Sequence, residues 1–172
     1  MTATTNARIA GFTFLFYIAA GVGSLALGGQ AHLRDVLTLL TSFCALVLAV
    51  TLYALTRKVD RDVAMIALLC RFVEGIPGHD GGAIFFATGS TLFCWLLVRG
   101  RMIPAALAWL GVLASLGLVA LLLLQRAAVL GVTNWSSSVT WLVWLPMLIF
   151  ELAFAAWLIV KGVEPPELKH LT

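Results

Sequence analysis

Three ionisable side chains sit within apolar stretches of this 172-residue chain: Arg71, Glu74 and, far downstream, Glu151. Arg71 and Glu74 are three apart, so on a helix they share one face. A guanidinium beside two carboxylates is suited to charge recognition. Arg71 would hold an anionic group or one carboxylate, and the spare glutamate would titrate or bind a cation. One arginine cannot neutralise two glutamates. Either one glutamate carries a proton, or a cation or ligand completes the site.

An isolated charge at a transmembrane helix centre costs about 2.5–3.5 kcal/mol on insertion scales. Three unpaired charges would cost roughly 8–10 kcal/mol, comparable with a whole domain's stability. The three are therefore expected to face a helix-bundle interior and touch. At a rise of 1.5 Å per residue, Arg71 and Glu151 each lie about 13–14 Å from the same end of their segments, with Glu74 about 4–5 Å further along. Tyr17, Thr88 and Ser115 fall at similar depth. The candidate ligand-binding residues are Arg71, Glu74, Glu151 and Tyr17. The same residues also fit a plainer role, a buried ion pair clamping the third helix to the sixth.

The elements that must carry these residues are apolar helices. The chain is 62% hydrophobic and 11% charged, with a mean hydropathy of +1.04. A soluble chain is about 45–50% apolar and about 25% charged, so a soluble domain and a disordered chain are both excluded. Charge-free windows separate Arg8 from Arg34, Asp35 from Arg57, Asp80 from Arg99 and Arg101 from Arg126, and a fifth apolar stretch runs to Val160. Each is long enough for a crossing of about 20 residues. The stretch 63–78 is short and carries Arg71 and Glu74. Charge balance decides whether it crosses. With six crossings the inner side holds Arg8, Arg57, Lys58, Arg61, Arg99, Arg101, Lys161 and Lys169, and the outer side only Arg34 and Arg126. With five crossings the two sides nearly balance.

The expected fold is therefore all-α: a polytopic membrane protein with six transmembrane helices in an antiparallel bundle. The helices fall near 9–30, 35–56, 63–78, 83–98, 104–125 and 139–160, forming one domain over 1–172 with both termini cytoplasmic. The first span is too long for a signal-peptide core. Short loops make consecutive helices neighbours. Pro104 opens the fifth helix, and Pro146 is expected to bend the sixth. Ala19 and Gly23 form a small-xxx-small pair suited to helix contact, with Gly28 beyond them. Trp95, Trp141, Trp144 and Trp157 are placed as interfacial anchors.

Other chemistries find little support. Cys44, Cys70 and Cys94 lie in apolar runs, have no CxxC spacing and read as buried apolar residues. His32 and His79 fall in outer loops without a metal-ligand pattern. No lysine or histidine lies mid-helix, which argues against a retinal Schiff base or bis-histidine haem. The sequence has no GxxxxGK[ST], HExxH or GxSxG. No cofactor is expected, an enzyme is disfavoured, and no basic cluster fits nucleic acid. Asn134-Trp135-Ser136 matches a glycosylation sequon by chance.

Arg8-Ile9-Ala10-Gly11, Arg71-x-x-Glu74 and the closing run from Glu151 to Val163 together resemble a prokaryotic multi-helix membrane family, domain of unknown function 4386. The resemblance implies six helices in a bacterial or archaeal cytoplasmic membrane, and it supplies no activity. The expected function is binding or transport of a small or lipidic ligand, or an ion, at the Arg/Glu cluster. The alternative is a structural or accessory subunit. The expected partners are the lipid bilayer, a small-molecule or lipid ligand, and either further copies of the chain or a larger membrane complex.

Overall fold

Uninterrupted apolar sequence with few β-branched runs favours helices, and turn residues end them. The computed structural model describes residues 2–26, 30–77, 81–127 and 137–166. It contains α1 (Ala3–Ala26), α2 (Ala31–Thr56), α3 (Arg61–Glu74), α4 (Gly82–Arg99), α5 (Ala105–Arg126) and α6 (Ser137–Val160). Five of the six are long and apolar enough to cross a membrane. The exception is α3. Its 14 residues span about 21 Å, short of a hydrocarbon core of about 30 Å.

The helix ends depart from the sequence expectation where local chemistry intervenes. α1 starts at Ala3 rather than near residue 9, because the Thr2 hydroxyl accepts the Thr5 amide at 3.2 Å and so caps an earlier turn. α2 starts at Ala31, so His32 and Arg34 lie on its first turns instead of in a loop. α3 begins where Asp60 accepts the Val63 amide at 3.2 Å. It ends at Glu74 rather than 78. Gly75 caps it by donating to the Arg71 and Phe72 carbonyls, and Pro77 disfavours helical geometry at Ile76. α6 runs unbroken through Pro146, whose ring is exposed. Gly28, His79, the 134–136 sequon and the Trp141 side chain lie outside the described residues.

The helices close into a ring. Each of α1 to α5 packs on the next, and α6 returns to α1, with a lesser contact between α2 and α4. α1 and α6 meet at Gly11, where a Cβ would lie 2.7 Å from Ile159 Cγ1 and 2.8 Å from the Ala155 carbonyl oxygen. Only glycine allows that approach. The expected small-residue contact on α1 is thus carried mainly by Gly11. Gly23 does meet Leu37 of α2, but Ala19 is exposed.

The interior is filled by side chains, many of them aromatic. Phe154 stacks on Phe150 at 5.4 Å and meets Phe14 edge-on at 5.7 Å. Trp144 turns inward onto Phe86 at 5.6 Å instead of standing as a free anchor. Trp95 and Trp109 form an exposed edge-to-face pair.

Several contacts gather at one end of the bundle. Gly162 lies beside Ala7, the Glu164 amide donates to the Met102 carbonyl at 3.0 Å, and Arg99 Nη1 donates to Asp60 Oδ2 at 2.8 Å. The start of α1, the α2–α3 connection, the α4–α5 turn and the end of α6 therefore share that end. It carries Arg8, Arg57, Lys58, Arg61, Arg99, Arg101 and Lys161.

Candidate functional site

Arg71 lies in the last turn of α3, where the negative end of the helix dipole favours a cation. It is 1% exposed. α4 comes close to it at Gly89, where a Cβ would stand 3.3 Å from Arg71 Cγ and 3.1 Å from Cys70 Cβ. One turn on, Glu74 is 7% exposed in its side chain, and its Oε2 accepts Arg71 Nη1 at 2.7 Å. The other oxygen, Oε1, accepts the Tyr17 hydroxyl at 2.7 Å.

No backbone contact joins α1 to α3, so the Tyr17 side chain reaches across the interior to make this bond. The Arg71 guanidinium carbon also lies 4.9 Å from the Phe86 ring centroid, 5.8 Å from Phe14 and 5.9 Å from Tyr17. Three π faces thus surround the cation. Tyr17 and Phe86 are themselves nearly parallel, 6.4 Å apart.

Glu151 on α6 is 5% exposed. It interacts electrostatically with Arg71, Glu74, Tyr17 and Cys94. Arg71 pairs with Glu74 on its own helix, and no ion pair within 4.0 Å joins it to Glu151, so the expected clamp of α3 to α6 by an ion pair is not formed. Among the described residues, two buried side-chain polar atoms are left without a hydrogen bond, Arg71 Nε and Glu151 Oε1. One is a donor and the other an acceptor.

The structure thus brings Arg71, Glu74 and Tyr17 into direct contact and leaves Glu151, on α6, outside those contacts with its Oε1 unpartnered. Ser115 is not part of this cluster. Its Oγ donates to the Gly111 carbonyl at 2.6 Å and lies 3.0 Å from Thr91 Oγ1, a separate polar contact between α4 and α5. Thr88 is half-buried. His32 is exposed, and the described residues contain no group of three or more potential metal ligands. The rings of Phe14 and Phe86 were not singled out in the sequence. Phe14 precedes Tyr17 by three and shares its helix face, which is a legible signal. Nothing local marks Phe86.

Six helices, five able to cross a bilayer, around a buried charge cluster define a multi-pass helical membrane protein. The family model described as a domain of unknown function, DUF4386, matches residues 77–162, and the chain belongs to that family. The matched segment contains Glu151 but not Tyr17, Arg71 or Glu74. No curated protein and no solved structure matches the chain.

Proposed function

We propose that this membrane protein binds a small ligand or an ion inside the bilayer, at the site formed by Glu151 opposite Arg71, Glu74 and Tyr17. One observation carries the reading. Glu74 has both oxygens engaged, whereas the buried Glu151 keeps an oxygen without a partner and has no counter-charge within ion-pair distance. A lone buried carboxylate is costly unless something balances it. Transport is the natural extension of such a site.

All six helices then cross the membrane in alternating directions, α3 as a short spanner flanked by α2 and α4. The end rich in arginine and lysine faces the cytoplasm with both termini, in line with the positive-inside rule. A bacterial inner membrane fits this orientation. Lys58 and Lys161 should then resist a membrane-impermeant amine reagent added outside sealed cells. Labelling of either lysine in intact cells would refute the orientation.

The test of ligand binding is native mass spectrometry of the protein extracted gently from its own membrane. A bound small molecule or lipid present in the wild type and lost in Glu151→Gln is the expected result. An identical adduct pattern in the two proteins would count against the site.

A second reading has its own support in the Tyr17–Glu74–Arg71 chain. This is a buried tie across the ring, as a structural or accessory subunit of a larger complex would use. A protein partner that co-purifies without any small-molecule adduct would favour it.

A further inference from the structure

The charge of the ligand follows from how the cluster is already satisfied. We infer that the site takes a singly charged cation at Glu151, and not an anion at Arg71. The inference rests on the ligand-binding reading above and specifies it.

Arg71 is the one cation in the cluster, and its Nη1 is engaged while its Nε has no hydrogen-bond partner. Its charge is matched by Glu74 at 2.7 Å and enclosed by the rings of Phe86, Phe14 and Tyr17. Glu74 is matched in turn by Arg71 and Tyr17. The Arg71–Glu74 pair is therefore neutral as a unit. An anion arriving there would meet the Glu74 carboxylate already held on Nη1, with Nε as the unpartnered donor left to it and a net charge already cancelled.

Glu151 is the residual charge. It is 5% exposed, Oε1 has no hydrogen-bond partner, and it belongs to α6, whose backbone does not contact α3. The charged and titratable groups close enough to couple to it electrostatically are Arg71 and Glu74 on α3, Tyr17 on α1 and Cys94 on α4. With Arg71 and Glu74 cancelling, an ionised Glu151 would be uncompensated, so the cluster is neutral only when Glu151 carries a proton or another cation. A desolvated carboxylate selects positive charge by Coulomb attraction, which is strong where water is excluded. Three sources supply that chemistry: a proton, an alkali-metal ion and a small protonated amine.

The experiment is thermal unfolding of the full chain in zwitterionic-lipid nanodiscs. Sodium, potassium, methylammonium and pH are varied in turn at constant ionic strength, and then chloride, acetate and phosphate. The expected result is that one cation, or lowered pH, raises the wild-type midpoint by a few degrees, and that Glu151→Gln loses the response. The neutral glutamine mimics the compensated carboxylate, so this variant should fold with at least wild-type stability. Glu151→Asp keeps the charge and should keep a response, which covers the case in which the glutamine variant fails to fold. Response to pH alone identifies the proton. Response to sodium, potassium or methylammonium identifies the larger ion. Stabilisation by an anion instead, lost in Arg71→Gln, would overturn the cation assignment and leave a ligand site standing. Identical behaviour of wild type and both Glu151 variants under every condition would overturn both.

Discussion

Tyr17→Phe removes one oxygen and leaves the ring. The stacking on Phe86 and the π face toward Arg71 should therefore survive. What disappears is the 2.7 Å bond to Glu74 Oε1, a direct polar link from α1 to α3. Hydrogen bonds to charged groups contribute about 1.5–3 kcal/mol in soluble proteins. Side-chain bonds between membrane helices average about 0.6 kcal/mol, with a maximum of about 1.7. The Glu74 side chain is 7% exposed, so the loss should fall toward the upper part of the membrane range, about 1–1.7 kcal/mol. For a chain of this size that corresponds to a midpoint roughly 2–6 °C lower. All three cysteines are free and buried, so a thiol-reactive fluorophore reports unfolding directly. A double-mutant cycle with Glu74→Gln isolates the pair. A coupling below about 0.3 kcal/mol, within the usual additivity error, would refute the claim that this bond ties α1 to α3.

Arg71→Met should destabilise the protein by about 3–5 kcal/mol because it leaves Glu74 charged and unpaired, and Arg71→Met with Glu74→Gln should recover a large part of that loss; no recovery in chemical denaturation would show that the charge pairing is not what holds this region. Gly11→Ala should cost about 1–3 kcal/mol by overpacking, since the new methyl would sit 2.8 Å from the Ala155 carbonyl oxygen; an unchanged melting point would mean that α1 and α6 can separate freely. Asp60→Ala should cost about 1 kcal/mol through the lost cap on α3, with little added by the exposed Arg99 pair; Arg99→Ala measured beside it by thermal melting should therefore show a much smaller effect, and an equal loss would contradict this division.

Residue order and hydropathy alone determined that this is an all-helical membrane protein. Crossing a bilayer needs long uncharged runs, and such runs are visible one residue at a time. The same logic picked out Arg71, Glu74 and Glu151, because a charge inside an apolar run is conspicuous whatever the fold. The i, i+3 spacing already placed Arg71 beside Glu74, since the helix itself sets that geometry. Local turn chemistry was harder to weigh. The Thr2 cap and the Gly75–Pro77 stop moved helix ends by several residues, because hydropathy registers only the apolar run and not the hydrogen bonds at its ends.

The tertiary structure decided which glutamate Arg71 pairs with and which is left over. Depth along the helix places Glu151 level with Arg71, but depth says nothing about azimuth or lateral distance. Ring closure sets those. With α3 and α6 separated across the bundle, Arg71 turns to Glu74 on its own helix, Tyr17 spans the gap from α1, and Phe86 arrives from α4. Glu151 Oε1 remains without a bonded partner. Which carboxylate is free depends on contacts between residues far apart in the chain, and such contacts exist only once the helices have packed.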